Sequence, residues 1–355
     1  MVNKARSIGI KVYAPLIFLL AIIIVLVICI YTFAVRNYKE STDNSIVSGR
    51  SIHQSVYGRH TQEVFKKVKE NFLKLEDSLS YDVDGSDVDK INSGAGTKWI
   101  KVDKNTIDIL DKAHNVSKNS NGIFDITFLP LFKLWGFEDN QVRTPSDVEI
   151  NDALKHVDYN LVNINHNLDR VKLDDEFSLI SLKNLFNGVL CKNAIRVYKD
   201  SDINYGIISV GNVTGLYGEK PDQQFWKISL KDPFDNDINI GNIKVRDGYI
   251  STFGGSSDKI FFNGEKINKA INPTNGLLPK SNILSATVFY SDPIIASALS
   301  KVCCIADKET SFKILNHYGA EAIFIDSAKN IYVMKNIYDK FNLIKDDYKV
   351  YSFSA

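Results

Sequence analysis

Residues 121–131 read Asn121-Gly122-Ile123-Phe124-Asp125-Ile126-Thr127-Phe128-Leu129-Pro130-Leu131, and Leu134-Trp135-Gly136-Phe137 follows just after them. Phe124 and Pro130 suit a core position and a turn. Asp125 and Thr127 carry short polar side chains of the kind that hydrogen-bond the loop they occupy. Such a segment specifies a fold before it specifies a chemistry. Upstream, Val64, Phe65, Val68, Phe72, Leu75 and Leu79 recur at helical spacing, so Thr61 to Leu79 reads as an amphipathic helix. Turn-forming residues fill 81–96, a short strand is expected at Lys98 to Val102, and a helix from about Asn105 to Ser117. Downstream, 160–182 reads as paired strands, 183–199 as a helix, and 203–217, 225–231, 245–252, 259–263 and 285–290 as further strands. Ser291-Asp292-Pro293 supplies an N-cap and a first-turn proline for a small-residue helix to about Ile305, and an αβ pair closes the module by Met334. This alternation admits α/β or α+β.

The chain has 355 residues, 44% of them apolar and 24% charged, ordinary values for a folded protein. Its net charge of +1, with both signs mixed along the chain, argues against a nucleic-acid partner, which calls for a concentrated basic face. Four cysteines show no disulfide framework and no zinc spacing: Cys29 lies in an apolar run, Cys303 and Cys304 are adjacent, and Cys191 stands apart.

Val12 to Val35 carries no charge over 24 residues, enough to cross a hydrocarbon core of roughly 30 Å. Lys11 and Arg36 flank it, and Tyr13 and Tyr31 stand where interfacial aromatics belong. A cleaved signal peptide has a shorter apolar stretch and a small-residue cleavage site, and Ile28 before Cys29 does not suit lipid attachment. Lys4, Arg6 and Lys11 place the N-terminus in the cytoplasm. The expectation is a single-pass protein of the cell (inner) membrane with its module on the periplasmic or extracytoplasmic side. Its segments are a cytoplasmic tail (1–11), an anchor (12–35), a juxtamembrane linker (36–60), one globular domain (61–340) and a C-terminal tail (341–355).

The segment 121–137 resembles the G-x-FDIT-x-x-PL…LWGF signature of the ApbE family, the FAD:protein FMN transferases. Further elements are similar to that family in the same order: Ser86…Lys90-Ile91-Asn92, Trp226…Lys231-Asp232-Pro233, Ile250-Ser251-Thr252-Phe253-Gly254, Asn272-Pro273-Thr274-Asn275-Gly276 and the strand Ser285 to Val288. The resemblance implies an α+β fold of mixed sheets and helices in one domain, here preceded by a single N-terminal transmembrane helix. It also implies FAD in a cleft, a magnesium ion on the pyrophosphate, and transfer of FMN to a Ser or Thr of an acceptor flavoprotein with AMP leaving. Carried onto matching positions, it implies flavin contacts at Ser86, Asn92, Phe124, Asp125, Thr127, Gly188, Gly211, Thr252, Gly254, Pro273 and Gly276.

The reactive positions depart from this pattern. Where the family supplies a backbone oxygen, an Asp and, one turn later, a Thr to the metal, this chain has Gly188, Ser297 and Lys301. A hard dication loses its charged protein ligand and meets an ammonium, so Ser297 and Lys301 are not expected to act as ligands. Asp292 reads as a helix cap, Lys301 as a solvated helix-face charge and Cys191 as a small buried hydrophobe. The family's loop lysine falls on Cys191, or on Lys192 after a one-residue slip, and its loop Asp on Arg196. Lys269 and Asn272 replace a His and an acid, Phe253 a Ser, and Asn212 the second of two glycines. Two readings stand: a metal-dependent flavin transferase acting on an acceptor flavoprotein, and an ApbE-like pseudoenzyme serving as a binding or structural subunit of a membrane complex.

Overall fold

Residues 50–58 bury Ile52, Gln54, Val56 and Gly58 on one side and turn Ser51 and His53 outward, the period-two pattern of a strand. This strand, β2 (Arg50–Gly58), pairs antiparallel with β1 (Lys39–Val47) through Ser48-Gly49. Both turn residues have positive φ, +48° and +74°, as a two-residue type I′ hairpin requires. The computed structural model describes residues 15–29, 38–220, 224–235, 237–255 and 258–353. Residues 39–58 are therefore sheet, not the juxtamembrane linker that sequence suggested. The apolar signal there is thin because the buried face includes Gln54, whose side-chain oxygen accepts from the Tyr198 hydroxyl at 2.8 Å.

That hairpin forms one edge of a nine-stranded sheet. Next to β2 come β6 (Ile203–Val210), β7 (Val213–Tyr217), β10 (Gly248–Phe253), β13 (Ile283–Tyr290), β14 (Glu321–Asp326), β15 (Asn330–Met334) and β17 (Lys349–Phe353). All neighbours run antiparallel except β15 and β17, which are parallel. Two three-stranded sheets accompany it: β3 (Ile100–Lys101), β5 (Arg170–Leu173) and β4 (Val162–Asn165), then β16 (Phe341–Leu343), β9 (Asn239–Val245) and β8 (Trp226–Lys231). A hairpin of β11 (Lys259–Phe262) and β12 (Glu265–Asn268) stands apart. Mixed sheets with helices make the module α+β, as expected.

Residues 341–353, expected as a tail, supply β16 and β17 instead. Buried Asp232 fastens this segment: its carboxylate accepts from the Tyr348 hydroxyl at 2.8 Å and the Lys345 ammonium at 3.3 Å. Burial alone raises its pKa, but these bonds and one from the Phe234 amide outweigh it and hold the group below its ordinary value.

Helix α1 (15–29) exposes apolar side chains from Leu16 to Ile28. Among the described residues no helix is long and apolar enough to cross a membrane, and 12–14 and 30–35 of the expected anchor lie outside them. Helix α2 (Thr61–Leu79) buries the predicted stripe of Val64, Phe65, Val68, Phe72 and Leu79. Helices α3 (Asp87–Ser93) and α4 (Lys104–Asn119) follow, then α5 (Leu129–Leu134) and α6 (Asp147–Leu154), whose Leu131 and Ile150 join Trp135, Phe137 and Ile271 in a separate apolar cluster.

Against the sheet lie α7 (Lys183–Lys199) and α8 (Pro293–Ile305), with α9 (Lys308–Tyr318) and α10 (Lys335–Tyr338) completing the chain. Every residue of α8 except Ile295 is buried, as befits a helix covered by the sheet, α7 and α4. The two central helices meet at Gly188: a Cβ there would lie 2.5 Å from the Pro293 carbonyl oxygen and 2.8 Å from Ser297 Oγ. Helix propensity alone favours Ala over Gly by about 1 kcal/mol. The crossing reverses that sign, because a methyl group pushes backbone against backbone. Gly188→Ala is expected to destabilise the protein by roughly 1–3 kcal/mol in denaturant unfolding; an unchanged or raised midpoint contradicts this packing.

Candidate functional site

The α7–α8 crossing opens onto a cleft of about 320 Å³. One wall is the first turns of α7, carrying Lys183, Asn184 and Asn187, with Ser297 and Lys301 of α8 behind it. Phe253 and Asp258 follow from the end of β10, and Phe132, Phe137, Glu138, Asn140 and Lys269 form the opposite side.

Amides lace the wall together. Asn187 donates to the Asn212 side-chain oxygen at 2.8 Å, and Asn212 donates to the Thr252 carbonyl at 2.9 Å. Gly211 makes room for this ladder: its φ is +54° and a Cβ would sit 2.6 Å from the Asn187 amide nitrogen. Gly254, at φ +94°, turns the chain where a Cβ would lie 1.9 Å from the Leu284 carbonyl oxygen. Its amide donates to Asp258 at 3.1 Å and aims that carboxylate at the cleft. Thr252 Oγ1 bonds Thr287 Oγ1 at 2.9 Å, which fixes β10 to β13.

Lys301 is not a solvated charge. It is 5% exposed, with its ammonium 4.6 Å from the Phe128 ring centroid and 5.8 Å from that of Phe253. Burial lowers its pKa to about 8, partly offset by the Asp258 carboxylate. Asp258 is pushed up to about 6 by burial, against the Gly254 amide and the charge of Lys301. Each charge thus draws its partner back toward its ordinary value.

Ser297 turns back on its own helix, its hydroxyl donating to the Pro293 carbonyl at 2.7 Å. Asp292 caps α8, accepting from the Ile294 and Ile295 amides at 2.9 and 3.4 Å, and its other oxygen takes Lys192 at 2.7 Å. Lys192 and Arg196 thus belong to a separate groove with Lys199 and Tyr249. Cys191 is fully buried, and burial pushes its thiol far above the ordinary range, so it is a core residue.

A magnesium ion asks for several oxygen ligands, carboxylates foremost. The α7–α8 crossing offers the Gly188 backbone, a hydroxyl engaged elsewhere and an ammonium, and among the described residues no three His, Cys, Asp or Glu side chains cluster. These residues do not fit the metal. The cleft does fit an anionic ligand: Lys183, Lys269 and Lys301 and the side-chain amides of Asn184 and Asn187 are donors for one, and the half-buried Phe132 ring lies in the same lining.

Of the positions carried over from sequence, Gly188, Gly211, Thr252, Gly254, Ser297 and Lys301 gather at this cleft or its wall. Others support it from outside. Ser86 caps α3, accepting from the Asp89 amide at 2.9 Å. Asn92 clamps both backbone groups of Ile180, at 3.0 and 2.8 Å. In the turn 272–276 the Asn272 side chain accepts from Thr274, Pro273 lies between them, and Gly276 receives the Trp135 indole at 2.9 Å. Phe124 is buried. Sequence reading missed Lys183, Asn184, Phe132, Glu138 and Asp258. Asn187 stood inside the quoted loop 185–196, whereas Asp258 reaches the cleft only through the turn at Gly254.

Asp125 accepts from both the amide and the hydroxyl of Thr127 at 2.7 Å, a closed Asx turn. Burial raises its pKa from 3.8 to about 6, with the Thr127 and Tyr159 bonds pulling it back. The folded state therefore holds this proton more tightly than the unfolded chain. The stability that the neutral form contributes is present below pH 3.8 and is lost as pH rises through about 6. Asp125→Ala removes the turn and should cost more at pH 4 than at pH 7.5, by up to about 3 kcal/mol in urea unfolding. A cost independent of pH contradicts the burial of this carboxyl.

The ApbE family model matches residues 48–324. An FAD:protein FMN transferase of Treponema pallidum is 22% identical over 329 residues, covering 87% of this chain and 90% of the relative. That of Escherichia coli K12 is 24% identical over 224 residues, covering 61% of this chain and 64% of the relative. Among solved structures, the ApbE protein of Thermotoga maritima superposes with a TM-score of 0.78 at 22% identity, over 85% of this chain and 99% of that one. Flavin transferase ApbE of Vibrio cholerae gives 0.71 at 18% identity, over 81% and 94%. With the family model spanning residues 48–324, most of its length, this chain belongs to the ApbE family.

Proposed function

We propose that this protein is a membrane-anchored, extracytoplasmic flavin-nucleotide protein that takes FAD in the cleft at the α7–α8 crossing. The carrying observation is the donor set of that cleft: three lysines and a row of asparagines suit a pyrophosphate. Its relatives are FAD:protein FMN transferases, and this chain spans 90% of the length of one of them. By that analogy the acceptor is a flavoprotein hydroxyl. Its oxygen bonds to the FMN phosphorus, the pyrophosphate P–O bond breaks, AMP leaves with the electron pair, and the hydroxyl proton is released. A nearby ammonium favours the negative charge that builds on the leaving phosphate.

Ser297 and Lys301 favour a second reading, in which the nucleotide is held but magnesium-dependent transfer is lost and the protein serves as a subunit at the membrane. A single pair of measurements separates them. Detergent-solubilised full chain titrated with FAD should show saturable quenching of flavin fluorescence, and failure to bind FAD contradicts both readings. AMP release and a flavin-labelled Ser/Thr peptide, followed by mass spectrometry, mark the transferase; bound but unconsumed FAD marks the subunit.

The anchor rests on the uncharged stretch 12–35, the basic residues before it and the exposed apolar side chains of α1. After cell lysis the chain should sediment with membranes, resist alkaline carbonate and come free in detergent. Release by carbonate alone contradicts the anchor.

A further inference from the structure

We propose that Lys301 is a tethered cation that meets the phosphates of the bound nucleotide directly, so that this cleft holds a pyrophosphate ligand without a divalent metal. The inference rests on the flavin-nucleotide reading above and concerns how its charge is met.

The geometry is specific. Ser297 and Lys301 are one helical turn apart on the same face of α8 and both line the cleft. A lysine whose side chain is 5% exposed normally has a carboxylate or several acceptors bonded to its ammonium, because desolvating an unpaired charge is costly, and here the residue lines the cleft instead. Among the described residues, Lys301 has only two ring faces and the charge of Asp258, with no acceptor within bonding distance. Its three donors are therefore unspent. Phe128 and Phe253 hold the charge in place without using up its hydrogen bonds.

Neighbouring groups point the same way. Lys183 and Lys269 line the cleft with it, so a doubly charged pyrophosphate finds three lysines in one lining. Glu138, the other carboxylate of the lining, is occupied by the Tyr81 hydroxyl and Lys133. A dication at the crossing would sit beside the fixed ammonium with one carboxylate, Asp258, to offset both. The repulsion from Lys301 cancels most of the attraction from Asp258, so the side chains at the crossing leave a dication little net charge to hold it. Lysine is a good phosphate partner as a point charge, and one stands where the resemblance implies a metal ligand.

The test compares FAD with riboflavin, which shares the ring system and lacks phosphate, on detergent-solubilised full chain in EDTA and in millimolar magnesium. FAD should bind in EDTA with an affinity that magnesium changes less than about twofold. Lys301→Met, similar in length but uncharged, should weaken FAD by roughly 10- to 100-fold, the worth of a charge-assisted hydrogen bond, and leave riboflavin unchanged. Ser297→Asp with Lys301→Thr restores an oxygen pair at helical spacing and should make FAD binding depend on magnesium. Wild-type affinity that rises tenfold or more with magnesium overturns the proposal, a result that needs no variant to fold. So does a folded Lys301→Met protein, judged by its thermal melt, that binds FAD like wild type. If neither flavin binds, the flavin reading fails with it; if FAD and riboflavin bind equally, only the phosphate role falls.

Discussion

Two helices cross here at a distance that only a missing side chain allows. With hydrogen in place of a methyl group at Gly188, the backbone of α7 rests on the Pro293 carbonyl and the Ser297 hydroxyl of α8. From that contact the rest of the cleft follows. The first turns of α7 bring Lys183, Asn184 and Asn187 to one wall, and the α8 face behind them can present only positions 297 and 301. The amide ladder from Asn187 through Asn212 to Thr252 then fixes the sheet side of the cleft to the helix side. Gly211 and Gly254 permit it, one by yielding space and the other by turning the chain toward Asp258.

What the cleft-facing side of α8 carries decides the chemistry. At the two positions where the resemblance implies metal ligands stand a hydroxyl turned back on its own helix and an ammonium beside two rings. Positive charge is thus present at the crossing in the form of a side chain. A dication demands a shell of oxygens, whereas a lysine brings its own tether, a single charge and three donors. Gly188, Gly211, Gly254 and Asn92 are required by packing and backbone bonding, whatever ligand the cleft takes.

Much of the fold was legible from local pattern. The stripe of α2, the span of α7 and the Ser-Asp-Pro start of α8 all announce themselves through spacing or capping chemistry. The hairpin β1–β2 did not, because a sheet edge with polar outward residues and a buried Gln54 dilutes the period-two signal. Residues 341–353 looked like a tail because their attachment is long-range, through Asp232. At the site, Cys191 read correctly as core and Asp292 as a cap. Lys301 misled, since a lone lysine on a helix is usually solvated. The corrective signal was present in its neighbours: Ala298, Leu299, Val302 and Cys303 surround it with residues that seek cover on every face. Asp258 had no such signal; it is placed by the Gly254 amide and by a backbone bond from Lys269.

Diffraction from crystals of the protein grown with FAD and manganese, recorded at the manganese absorption edge, tests the central assignment most directly. The account requires a pyrophosphate oxygen within hydrogen-bond reach of Lys301 Nζ and no anomalous peak at the crossing of α7 and α8. A manganese peak bridging the pyrophosphate and the Gly188 carbonyl, with the Lys301 ammonium displaced from its slot between Phe128 and Phe253, contradicts it.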